Sequence, residues 1–136
     1  MKVCLRYTKS SLDDKEIEII GDFMQYLQSQ LPLKKELTVH LVPERKGAMT
    51  TGLRVPKSQI YVLANGRILI DILRTLSHEW VHEFQHQKLG VKDFQKTQDI
   101  GGPVENLANI LSGIFMKKYQ KLKPELSSIL YGEPEK

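Results

Sequence analysis

Sulfhydryl chemistry is nearly absent from this chain, which has one cysteine, Cys4, in 136 residues. A lone cysteine makes no internal disulfide, so a disulfide scaffold is excluded, and any metal ligation falls to histidine and carboxylate. Long apolar runs are missing too. No stretch approaches the roughly 20 residues that cross a bilayer, and Met1 to Leu5 is followed at once by Arg6. Neither a membrane span nor a signal peptide is expected, and the expected location is cytoplasmic. Charge of one sign is also scarce. The formal net charge of +4 is spread along the chain, with small groups at Lys34 and Lys35, at Arg45 and Lys46, and from Lys117 to Lys123. Nucleic-acid binding calls for a denser basic stripe or a recognised module, so nucleic acid is not an expected partner.

What remains is ordinary globular composition, 40% hydrophobic and 26% charged. That is enough for one core, and residues 1–136 are expected to form a single domain. There is no internal repeat and no low-complexity tract.

Val3, Leu5 and Tyr7 alternate as in a short strand. The hydroxyls of Thr8 to Ser11 then suit the cap of a helix starting near Leu12. Ile19, Ile20, Phe23, Leu27 and Leu31 recur at helical spacing, and Pro32 stops the helix. Leu37 to Val42, Ala48 to Val55 and Gln59 to Leu63 read as strands of a small three- or four-stranded sheet. Ala48 to Leu53, small and uncharged, is expected at the sheet edge, where an extended peptide could pair with it. A core-facing helix follows from Arg67 or Ile68 to near Gly90, with Leu69, Leu73, Leu76, Trp80 and Phe84 on one stripe. A last long helix starts at Pro103. Its expected buried stripe is Val104, Leu107, Leu111, Ile114, Phe115 and Leu122, and residues 126–136 read as a loosely held tail.

The chemistry sits in His78-Glu79-Trp80-Val81-His82. Two histidines four apart on a helix stand on one face and can converge on one metal ion. On the helical wheel they lie roughly opposite the apolar stripe, so one side of the helix serves the core and the other a cleft. A hydrolytic zinc site keeps three protein ligands and an open position for water. Glu79 is placed to take that water's proton and to return it to the leaving amine. A shuffled chain of this composition contains the motif only about once in a hundred sequences. His86 continues the row, but lies about 12 Å along the axis from His78, too far to share one ion.

Glu105 is the candidate third ligand, at the start of the last helix. Ala108 and Ser112 share its flank and would let that helix approach closely. Asp93 and Asp99 compete from the stretch between the helices, where holding ligand geometry costs more ordering entropy. The plain alternative for Glu105 is a carboxylate favoured by the positive end of a helix.

With these residues the chain resembles the gluzincin metallopeptidases, in which His-Glu-x-x-His on one helix is completed by a glutamate on a following helix. More loosely it looks like the SprT-like zinc proteases. The resemblance implies an α+β, zincin-like fold: a small, mainly antiparallel or mixed sheet of three to four strands packed with an N-terminal helix, the motif helix and a C-terminal glutamate helix. It also implies one Zn2+ per chain on His78, His82 and Glu105, Glu79 as the catalytic carboxylate, and a peptide or protein as substrate. Gluzincins often carry an aspartate four residues after the ligand glutamate to orient a ligand histidine. Asn109 stands there in this chain and can accept through its amide oxygen. The oxyanion-stabilising residue is unassigned, although Tyr119 and Tyr131 are present. The metzincin pattern is excluded, because it needs glycine and histidine where Gln85 and Lys88 stand. The alternative function is a zinc-bearing binding or structural module without useful turnover.

Overall fold

The structure, a computed structural model, describes residues 3–7, 12–43, 52–55, 58–64, 67–89 and 103–131. The first strand, β1 (Val3–Tyr7), leads to helix α1 (Asp14–Gln30). Asp13 caps that helix, in place of the expected hydroxyls. Its carboxylate accepts from the Glu16 amide at 2.8 Å while the Glu16 carboxylate accepts from the Asp13 amide at 3.2 Å. This reciprocal box satisfies two backbone donors that a helix start leaves without partners, which a single hydroxyl further upstream could not do. At the other end the Leu31 amide donates to the Leu27 carbonyl, and Pro32 ends the ladder.

Strands β2 (Leu37–Val42), β3 (Gly52–Val55) and β4 (Gln59–Leu63) complete a sheet in the order β1-β2-β4-β3. β1 runs parallel to β2, and β2 to β4, with Leu5 opposite Val39 and Val39 opposite Ile60. Only β3 is antiparallel, with Gly52 opposite Val62. Leu37, Val39, Leu41, Ile60 and Val62 are buried, while Thr38, His40, Gln59 and Tyr61 on the other face are half-buried. His40 stacks on Tyr61 there. Residues 48–51 of the expected third strand lie outside the described residues. Its remainder, β3, is one of the two edge strands.

Helices α2 (Leu69–Leu89) and α3 (Pro103–Leu122) follow, then a 3-10 turn (Pro124–Leu126) and the short helix α4 (Ser127–Leu130). The α+β, zincin-like arrangement built on a mainly antiparallel sheet is therefore corrected. Among the described residues the protein is mostly helical, with helices of 17, 21 and 20 residues against strands of four to six, and the sheet pairs mainly in parallel. The physical reason is that α1 intervenes between β1 and β2. A helical crossover returns the chain to the same end of the sheet, whereas an antiparallel pair needs only a tight hairpin.

The α3 stripe is corrected as well. Leu107, Ile114 and Leu122 are exposed, the Val104 side chain lies outside the described residues, and among the described side chains Ala108, Ser112, Phe115, Met116 and Tyr119 are buried. Small residues win the face toward α2 because they let the two backbones come close, and the Ser112 hydroxyl donates to the Arg74 carbonyl at 3.2 Å. Tyr119 packs edge-on against Phe23 of α1 and donates to Asp22 at 2.7 Å. Nor are residues 126–131 a loose tail, since Leu130 is fully buried in the core. Among the described residues, no helix is long and apolar enough to cross a membrane.

Candidate metal centre

Helix α2 is expected to divide into a core side and a cleft side, but it is buried around most of its circumference. Leu73, Leu76 and Trp80 are in the core as anticipated, and Trp80 Nε1 donates to the Leu31 carbonyl at 3.0 Å, tying α2 to the end of α1. On the remaining faces Glu79 is 7% exposed, His82 and Glu83 are 0%, and Gln85 is 1%. His78 and His86 are half-buried. Polar groups this deep must be hydrogen-bonded, because each one left unmatched costs about 1–3 kcal/mol.

The two motif histidines meet. His78 Nε2 and His82 Nε2 are 3.2 Å apart, with the rings nearly perpendicular at 79°. Two nitrogens each about 2.05 Å from one tetrahedral zinc ion stand about 3.3 Å apart, so the donor pair fits that ion. The other nitrogen of His82 is engaged behind it, with Nδ1 2.9 Å from Gln85 Oε1.

Glu79 lies on the same helix and faces β3. A Cβ built on Gly52 would stand 2.5 Å from Thr75 Cγ2, 3.0 Å from Glu79 Cγ and 3.3 Å from Glu79 Oε2. The edge strand thus runs directly over the Glu79 carboxylate, at a distance only glycine permits. Arg67 fixes the floor below. Its guanidinium donates to the carbonyls of Leu63 and Asp71 and to Thr75 Oγ1, at 3.0, 2.9 and 2.8 Å. Burial lowers the Arg67 pKa from its ordinary value, with the neighbouring Asp71 charge acting in the opposite sense.

One turn beyond Glu79, Glu83 accepts from the Ser58 hydroxyl at 2.8 Å and from the Gln87 amide. The Gln87 carbonyl in turn accepts from the Lys34 and Lys35 amides at 2.7 and 3.0 Å. Ser58 has φ +56°, in the left-handed region that a residue with a Cβ seldom adopts, and its bond to Glu83 helps hold it there. The network anchors the second half of α2 to the start of β4.

Glu105 lies in the first turn of α3, and its side chain is outside the described residues. Further along the same helix, Ser112 meets the Arg74 carbonyl of α2. Asp93 and Asp99 lie outside the described residues. Asn109 is exposed, and the partner resolved for His82 Nδ1 is Gln85. Tyr119 is buried against α1, and the Tyr131 hydroxyl donates to Gln120. Among the described residues, no group of three His, Cys, Asp or Glu is placed to hold a metal ion.

Three contributors were not anticipated from the sequence: Gln85, Thr75 and Arg67. Gln85 alone left a usable signal, since an amide three residues after a helical histidine is within side-chain reach. The Gly52 contact joins residues far apart in sequence and leaves no local trace. No protein-family model, no curated protein and no solved structure matches the chain.

Proposed function

We propose that the protein is a zinc-dependent endopeptidase, with the ion held by His78, His82 and Glu105. The observation that carries the reading is the 3.2 Å approach of the two Nε2 atoms beside a buried Glu79. An ion bound there would supply Lewis acidity to the attacking water and the scissile carbonyl. Glu79 takes the proton from that water and delivers it to the leaving amine, so one carboxylate acts first as base and then as acid. The backbone of β3, at the sheet edge over Glu79, offers an extended peptide a strand to pair with. A cytoplasmic setting belongs to the same proposal, because the site uses no thiol and the chain has one cysteine.

The test combines metal analysis with cleavage of an unstructured protein substrate. The wild-type chain is expected to bind one zinc and to cleave, with activity lost to a chelator and restored by zinc. His82→Ala is expected to lose the metal. Glu79→Gln is expected to keep the metal and lose at least about a hundredfold in turnover. Unchanged zinc affinity in His82→Ala removes the site from α2. Zinc binding without cleavage leaves the binding-module alternative.

A further inference from the structure

Residue 85 is three positions beyond His82 on α2, so its side chain lies over the same face of the helix. Gln85 is buried, and its Oε1 is 2.9 Å from His82 Nδ1. A carbonyl oxygen only accepts, so the hydrogen in this contact belongs to the ring nitrogen. A neutral imidazole carries one such hydrogen. With it on Nδ1, His82 Nε2 carries a lone pair and no proton, and in the metal-free protein it accepts from Nε2 of His78 at 3.2 Å, the place an ion would take. The opposite amide orientation, with the NH2 group donating to Nδ1, would move the ring hydrogen to Nε2 and block that atom as a ligand.

We infer that Gln85 is a positioning residue that sets the tautomer and ring orientation of His82, so that its Nε2 is ready for a metal ion before the ion arrives. This rests on the zinc-site reading for its purpose, but the hydrogen bond is measurable in the metal-free protein. Such partners behind a ligand histidine are worth about 10–100-fold in metal affinity. The assignment also accounts for a long amide at full burial beside the metal ligands, where an apolar residue would cost nothing to desolvate.

The experiment uses the full chain labelled with 15N at histidine, stripped of metal and held at mildly alkaline pH so that imidazoles are neutral. Two-bond proton–nitrogen spectra report which ring nitrogen of His82 bears hydrogen, and zinc titration of the same samples reports affinity. The wild type is expected to show hydrogen on Nδ1 of His82. Gln85→Met, similar in size but without the amide acceptor, is expected to mix the tautomers and bind zinc about 10–100-fold more weakly. Gln85→Glu keeps an acceptor and is expected to restore both. Hydrogen on Nε2 in the wild type overturns the inference even if no variant folds. An unaltered tautomer and affinity in a folded Gln85→Met protein also overturns it, while leaving the metal site standing. The expected tautomer in a wild-type chain that binds no zinc supports the bond and removes the zinc reading instead.

Discussion

Adding one methyl group at Gly52 tests whether the edge strand and the Glu79 carboxylate are packed as closely as the geometry requires. In Gly52→Ala the new Cβ meets Thr75 Cγ2 at 2.5 Å, a separation no relaxed pair of carbons adopts, and Glu79 Cγ at 3.0 Å. Thr75 has little room to give, because it is buried and its hydroxyl is held by Arg67 at 2.8 Å. Overpacking of this kind costs about 1–3 kcal/mol. The loss of glycine's freedom in the unfolded chain offsets about 0.4–1 kcal/mol of that. The net expectation is a destabilisation of about 1–2 kcal/mol by urea unfolding. Turnover is expected to fall at least about tenfold, since the displaced side chain is the proposed base. Thr75→Ser removes the Cγ2 methyl while keeping the hydroxyl for Arg67. In the double variant stability is expected to recover, with a coupling of about 1 kcal/mol, whereas turnover recovers less because the Glu79 contact remains. A Gly52→Ala protein as stable as the wild type, or a cycle with no coupling to Thr75, would refute the packing argument.

Glu105→Ala is expected to weaken zinc binding at least about tenfold and nearly abolish cleavage, whereas Asp93→Ala and Asp99→Ala do neither; isothermal titration on the three variants decides. Loss of metal in Asp99→Ala with retention in Glu105→Ala would transfer the third ligand to an aspartate. Tyr119→Phe tests alkaline stability. Burial first, and then the bond to Asp22, raises the Tyr119 pKa above its ordinary value, so the folded state keeps the neutral phenol where the unfolded chain ionises. The contribution is therefore fully present below about pH 10 and is lost as pH rises from there through the higher folded value. Tyr119→Phe is expected to cost about 1 kcal/mol near neutral pH and to flatten the alkaline loss, read from unfolding curves on both sides of pH 10. Tyr26, also raised by burial, retains a share of that slope.

Local pattern carried the reading where a single element decides the outcome. The periodicity of Leu69, Leu73, Leu76 and Trp80 placed α2, and the spacing of His78 and His82 alone brings their Nε2 atoms within 3.2 Å. Pro32 and Pro103 marked helix boundaries because proline acts on its own backbone. Tertiary packing decided what no window of sequence contains. Alternation in Leu37 to Val42 and Gln59 to Leu63 identifies strands but says nothing of direction, and the crossover through α1 set β1 and β2 parallel. The small flank of Ala108 and Ser112 was legible as a close-packing face of α3, but that it would leave the larger Leu107 and Ile114 exposed was decided only by the packing. The contact of Gly52 with Thr75 and Glu79 is of the same kind: a glycine in a strand is only a hint until another element arrives to occupy the space its missing side chain leaves.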